Sequence, residues 1–147
     1  ELEQVISGIT NRVHTKQEKE RQDYEQEILP HAQLERGDKS KYVMEALNYI
    51  SEHYSNPELG VCEIAGALGV SESHISHLFK KETDYTVNAY LTRYRIQSAM
   101  KLLTNCRHKV YEVAEMVGYR DTTYFSTIFK RITGVNPSEY QDRIHNE

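Results

Sequence analysis

The chain has 147 residues, a formal net charge of −4, no tryptophan and two cysteines. That length holds one ordinary domain, or a small domain with an extension. No apolar run approaches the roughly 20 residues of a membrane-spanning helix, and no signal-peptide pattern opens the chain.

The charge is unevenly spread. Residues 1–38 carry 5 Lys/Arg against 9 Asp/Glu, whereas residues 39–147 carry 13 of each. The N-terminal quarter therefore holds all the net negative charge, and the remainder can still present a basic face. Cys62 and Cys106 form no CxxC pair and fall in or beside helical patterns. They read as reduced thiols of a cytoplasmic protein, with a disulfide as the alternative reading. The chain begins at Glu1 in mid-pattern, without Met, as a piece of a longer protein would.

In chain order, residues 1–29 read as a helix. Leu2, Ile6, Ile9 and Val13 step by a/d spacing, then the seam turns polar at Lys16, Gln17 and Glu20. Two readings stay open, a solvated linker helix and a short coiled coil that pairs two copies. Pro30, Gly37 and Asp38 mark a break, so the division falls at 1–38 and 39–147. Val43, Leu47, Ile50 and Tyr54 predict an amphipathic helix from near Ser40, stopped by Asn56-Pro57. A short helix spans Val61 to Leu68, Gly69-Val70 turns, and Ser71 caps a helix to about Glu82. Thr86 caps a long helix to about Leu103. Val110 to Val117 is short again, Gly118-Tyr119 turns, and Asp121 caps a helix that Gly134 ends. Asn136-Pro137-Ser138-Glu139 starts the last helix, with a cap, Pro at N1 and Glu at N3. No alternating strand pattern follows residue 39, which predicts an all-α region.

Two short-helix, turn, helix units repeat. Ala65 and Gly69 match Ala114 and Gly118 at an offset of 49. Ser76, Phe79, Lys80, Lys81 and Thr83 match Ser126, Phe129, Lys130, Arg131 and Thr133 at an offset of 50. The second turn therefore holds one more residue. A small Ala lets helices cross closely, Gly permits the tight turn, and Phe anchors the second helix from below. That is the layout of a helix-turn-helix, whose second helix lies in the DNA major groove. The expected reading helices are about 71–82 and 121–132.

The segments IAGALGVSESHISHLFKKET, AYLTRYRIQSAMKLL and VAEMVGYRDTTYFSTIFKRITGVNPSEY resemble the DNA-binding domain of AraC/XylS-family transcription regulators. The resemblance spans about residues 40–144. It implies seven helices, in two helix-turn-helix subdomains joined by a long linker helix. The acidic stretch 1–29 resembles the connector after the receiver domain of a two-component response regulator. Two positions depart from the family pattern: Asp84 stands where Gly is usual, and His77 where many members carry Arg. Bidentate Arg-to-guanine readout is thereby lost at that position.

The expected base-facing residues are Ser73, Ser76 and His77 on the first reading helix, and Thr122, Thr123, Ser126 and Thr127 on the second. Ser and Thr hydroxyls can bond several bases, and a Thr methyl can pack on thymine. Expected phosphate-facing residues are Ser71, Lys80, Lys81, Arg93, Arg95, Arg120, Lys130 and Arg131, with Arg107 and Lys109 as further candidates. Tyr90, Tyr94, Tyr119, Tyr124 and Tyr140 fall on apolar faces or at the turn and are expected in the core. His74 and His77 lack a third ligand at matching spacing, so no metal is expected, and no cofactor or catalytic constellation is visible. The expected partner is double-stranded DNA, with no membrane. An upstream receiver or sensor domain, RNA polymerase and a second copy through the N-terminal helix are the further partners of this reading. The alternative is a helix-turn-helix protein-interaction module that does not bind DNA.

Overall fold

The computed structural model describes residues 40–146. Among the described residues there are seven helices and no strand: α1 Lys41–His53, α2 Val61–Leu68, α3 Glu72–Thr83, α4 Val87–Leu102, α5 Val110–Met116, α6 Thr122–Thr133 and α7 Pro137–His145. The helix expected over 1–29, its a/d seam and the break at residue 38 lie outside the described residues.

Helix starts follow from local chemistry. The side chains of Ser40, Ser71, Thr86 and Asn136 accept hydrogen bonds from the N–H groups of Val43, His74, Ala89 and Glu139. Asp121 accepts from Thr123 and Tyr124. Each such cap satisfies a donor that the first turn leaves free, worth about 1 kcal/mol. On α5 the Glu112 carboxylate accepts from the Lys109 N–H at 2.8 Å.

The helices fill two cores. Val43, Leu47, Ile50, Ile64, Ile75, Phe79, Tyr90 and Leu91 meet in the first, built from α1–α3 and the N-terminal half of α4. Ile96, Met100, Leu103, Val113, Phe125, Phe129 and Tyr140 meet in the second, built from the C-terminal half of α4 with α5–α7. Helix α4 is thus the shared wall of both subdomains, and Tyr54 packs against both cores.

The repeat runs further than Thr83 and Thr133. Tyr90 sits edge-on to Phe79 with ring centroids 5.6 Å apart, and Tyr140 sits edge-on to Phe129 at 5.5 Å. Both pairs keep the offset of 50 residues. Thr83 Oγ1 donates to the Phe79 carbonyl at 2.7 Å and accepts from the Tyr85 N–H. Thr133 Oγ1 donates to the Phe129 carbonyl at 2.8 Å and accepts from the Val135 N–H. Each reading helix is therefore pinned at its end by the same device: a buried Phe, a Thr folded back on the last turn, and a Tyr from the next helix.

The two helix ends differ in one residue. Gly134 closes α6 at φ 88, whereas Asp84 closes α3 at φ 66 and is the one non-glycine residue at positive φ among those described. Asp is among the few residues that enter this left-handed region at modest cost. Lys80 Nζ donates to the Asp84 carbonyl at 2.7 Å, which holds that end.

Candidate nucleic-acid interface

Helices α3 and α6 have the same cross-section. Successive residues turn about 100° around a helix axis. On α3, Ile75 and Phe79 point into the first core, with Leu78 at its edge. On α6, Phe125, Ile128, Phe129 and Ile132 point into the second. The opposite arc of α3 carries Ser73, Ser76, His77, Lys80 and Lys81, all exposed. The matching arc of α6 carries exposed Thr123, Thr127, Lys130 and Arg131, with Thr122 and Ser126 half-buried at its flank. Both helices pack on α4. Each thus presents a short polar front ending in two cations, where the helix dipole also favours positive charge.

Several polar atoms are already engaged. Ser71 Oγ, exposed at the start of α3, accepts from the His74 N–H at 3.1 Å, which leaves its proton free to donate. Thr127 Oγ1 donates to the Thr123 carbonyl at 3.1 Å, which leaves the hydroxyl's lone pairs free to accept. The Arg93 guanidinium lies 5.3 Å from the Tyr85 ring centroid and is half-buried. The exposed Arg120 guanidinium pairs with the Glu58 carboxylate, so its charge is shared. Arg107 and Lys109 are exposed on the loop before α5.

Arg95 does not join the phosphate-facing set. It is 9% exposed, with Nε donating to the Tyr54 carbonyl at 2.9 Å and an Nη to the Asn56 carbonyl at 2.8 Å. Its guanidinium carbon lies 5.5 Å from the Tyr119 ring centroid. Burial lowers the Arg95 pKa, yet an arginine remains a cation at neutral pH. Burial also pushes the Tyr119 hydroxyl up to about 12, with the Arg95 charge pulling in the opposite direction. Two carbonyls and an aromatic face have absorbed the charge that sequence pattern assigned to phosphate.

Tyr124 is the second correction. Expected in the core, it is 56% exposed, resting on Tyr119 at a ring-centroid distance of 6.0 Å. Its position one residue before Phe125 turns it 100° off the apolar stripe. Its repeat partner is His74, which is exposed on α3 and edge-on to Tyr42 at 5.8 Å. Both side chains border the polar fronts, and neither was in the sequence-derived set. The offset of 50 that pairs them was the available signal.

The turns explain the positioning. In both units the N–H of the residue after the turn glycine reaches back to the small Ala: Val70 to the Ala65 carbonyl at 3.1 Å, and Tyr119 to the Ala114 carbonyl at 2.9 Å. Gly69 and Gly118 supply the positive φ, 74 and 99. The residue by which the second turn is longer is then Arg120.

A helix-turn-helix domain family matches residues 64–143. The arabinose operon regulatory protein of Escherichia coli is 35% identical over 99 residues, which cover 67% of this chain and 34% of that protein. The chain thus spans about a third of the length of the arabinose regulators that it matches. The C-terminal domain of AraT, a response regulator from Geobacillus stearothermophilus, is 34% identical with a TM-score of 0.71, over 73% of this chain and 88% of that one. The C-terminal domain of the two-component response regulator yesN from Fusobacterium nucleatum is 32% identical with a TM-score of 0.63, over 65% of this chain and 93% of that one. With two helix-turn-helix units sharing one linker helix, and with these relatives, the chain belongs to the AraC family of helix-turn-helix transcription regulators.

Proposed function

We propose that residues 40–146 form the DNA-binding output domain of a longer, cytoplasmic transcription regulator. In this reading α3 and α6 enter two successive major-groove segments of one duplex. The observation that carries it is the doubled polar front, each backed by buried Phe and ended by two exposed cations. Double-helical DNA repeats its major groove about every 34 Å, and a pair of reading helices on one rigid linker helix suits that period.

Ser73, Ser76 and His77 on α3, with Thr122, Thr123, Ser126 and Thr127 on α6, face base edges in this reading. Tyr124 and His74 border them. Hydroxyls and methyls discriminate bases through several weak contacts, so readout leans on thymine methyls and groove shape. Lys80, Lys81, Lys130 and Arg131, helped by Ser71, Arg93 and Arg120, hold phosphates and set register.

The resemblance to the C-terminal domains of two response regulators supports an upstream receiver domain as the source of the signal. Pairing through residues 1–29 and contact with RNA polymerase belong to the same whole-protein reading. Among the described residues no helix is long and apolar enough to cross a membrane.

Selection of bound duplexes from a random pool tests the domain function. The expected result is one enriched motif with two short elements about 10 base pairs apart, centre to centre. Changing Thr123 and Thr127 to Ala should relax base preference in one element only. Recovery of no enriched sequence would remove the reading.

A further inference from the structure

Two separate cores joined by one helix leave the angle between the subdomains to whatever bridges them. That bridge is built around Arg95. Its Nε and Nη donate to the carbonyls of Tyr54 and Asn56, which follow α1 in the first subdomain. Its guanidinium carbon lies over the Tyr119 ring in the turn of the second. Gly118 closes the stack: a Cβ there would lie 2.6 Å from the Tyr54 carbonyl oxygen and 2.9 Å from Arg95 Nε. At the rim Arg120, the inserted turn residue, pairs with Glu58 of the first subdomain.

We infer that Arg95 is a positioning residue for DNA recognition: by locking the Tyr54–Glu58 loop onto the Gly118–Arg120 turn it sets the one spacing at which α3 and α6 can be engaged together. The inference rests on the proposed two-segment reading of DNA. Charged hydrogen bonds to two fixed carbonyls are strong and directional, and a buried guanidinium that loses them has no solvent to turn to. A locked pair gains from intramolecular binding of its second helix. A loose pair retains the contacts of each helix but loses that gain.

The test compares wild type with Arg95→Met on three duplexes derived from the selected motif: the full site, a site with one element scrambled, and sites with the spacing changed by one or two base pairs. The expected loss for Arg95→Met is about tenfold or more on the full site and within about twofold on the single element, with a flattened spacing preference. Equal proportional losses on full and single sites, or an unchanged spacing preference, would overturn the inference. If wild type itself binds full and single sites alike, the two-segment reading fails instead.

A second measurement has an arm on free wild-type protein that does not depend on whether the variant folds, and a far-UV circular dichroism spectrum of Arg95→Met separates a loosened junction from an unfolded chain. Cys62 on α2 and Cys106 on the α4–α5 loop are the two cysteines of the chain, both free and exposed, one in each subdomain. The Cys106 loop is tied to α7 by Gln141, whose Nε2 donates to the carbonyls of Asn105 and His108. Spin labels on these thiols should give a single narrow distance in free wild-type protein and a broad one in Arg95→Met. A broad distribution in free wild type would overturn the inference.

Discussion

Changing Lys80, Lys81, Lys130 and Arg131 together to Ala should lower affinity for the selected duplex on the order of 100-fold at about 0.15 M salt. The dependence of affinity on salt should weaken at the same time. Each neutralised phosphate contributes about 0.9 to the slope of log affinity against log salt, so removal of four cations should cut the slope by about 3 to 4. The ranking of base preferences should survive, because phosphate contacts set affinity and register without reading sequence. Stability should fall modestly, with Lys80 giving up its bond to the Asp84 carbonyl. All four side chains are exposed, and their favourable placement at helix C-termini is worth only about 0.3–1 kcal/mol each at most. Fluorescence anisotropy across a salt series, with a thermal melt as control, gives both numbers. Unchanged affinity and slope would favour a protein-interaction module built on the same fold.

The two turn glycines should respond very differently to Ala. Gly69 has a φ of 74, and a Cβ there would meet nothing within 4 Å. Gly69→Ala therefore carries only the left-handed backbone cost, about 1–2 kcal/mol. Gly118 has a φ of 99, further from the conformations open to Ala, and its Cβ would sit 2.6 Å from a backbone oxygen. That oxygen, of Tyr54, is held by Arg95, so it cannot swing away like the tip of a flexible side chain. Strain and overpacking together put Gly118→Ala at about 3 kcal/mol or more. For a domain of this size that is a fall in melting temperature of at least about 10 °C. Circular dichroism melts of the two variants side by side decide it, and equal losses would show that the junction yields.

Much of the fold was legible because its punctuation is local. Ser71, Thr86, Asp121 and Asn136 each cap within three residues of themselves, so their sequence neighbours suffice to place them. The Phe79 and Phe129 anchors were legible from the apolar period and the repeat. Arg95 was not. Its partners are backbone carbonyls 41 and 39 residues away, and a carbonyl has no letter in the sequence. Nothing in a helical period separates an arginine folded into a junction from one reaching for solvent. Tyr124 failed for a different reason. Aromatic residues beside an apolar stripe look like part of it, and a 100° turn decides between core and surface. The Tyr90/Tyr140 match was present in the sequence, since both stand 11 residues after their Phe, but its meaning needed the edge-on contacts to α3 and α6. For the base-facing and phosphate-facing residues, sequence and structure together supply exposure and arrangement.

Methylation interference on the selected duplex tests the central claim most directly, because methyl groups on guanine N7 project into the major groove. The account predicts interference in two patches on one face of the duplex, about 10 base pairs apart, from a single protein chain. It also predicts that scrambling either patch abolishes only its own interference signal. A single patch, or signals confined to the minor groove, would contradict it.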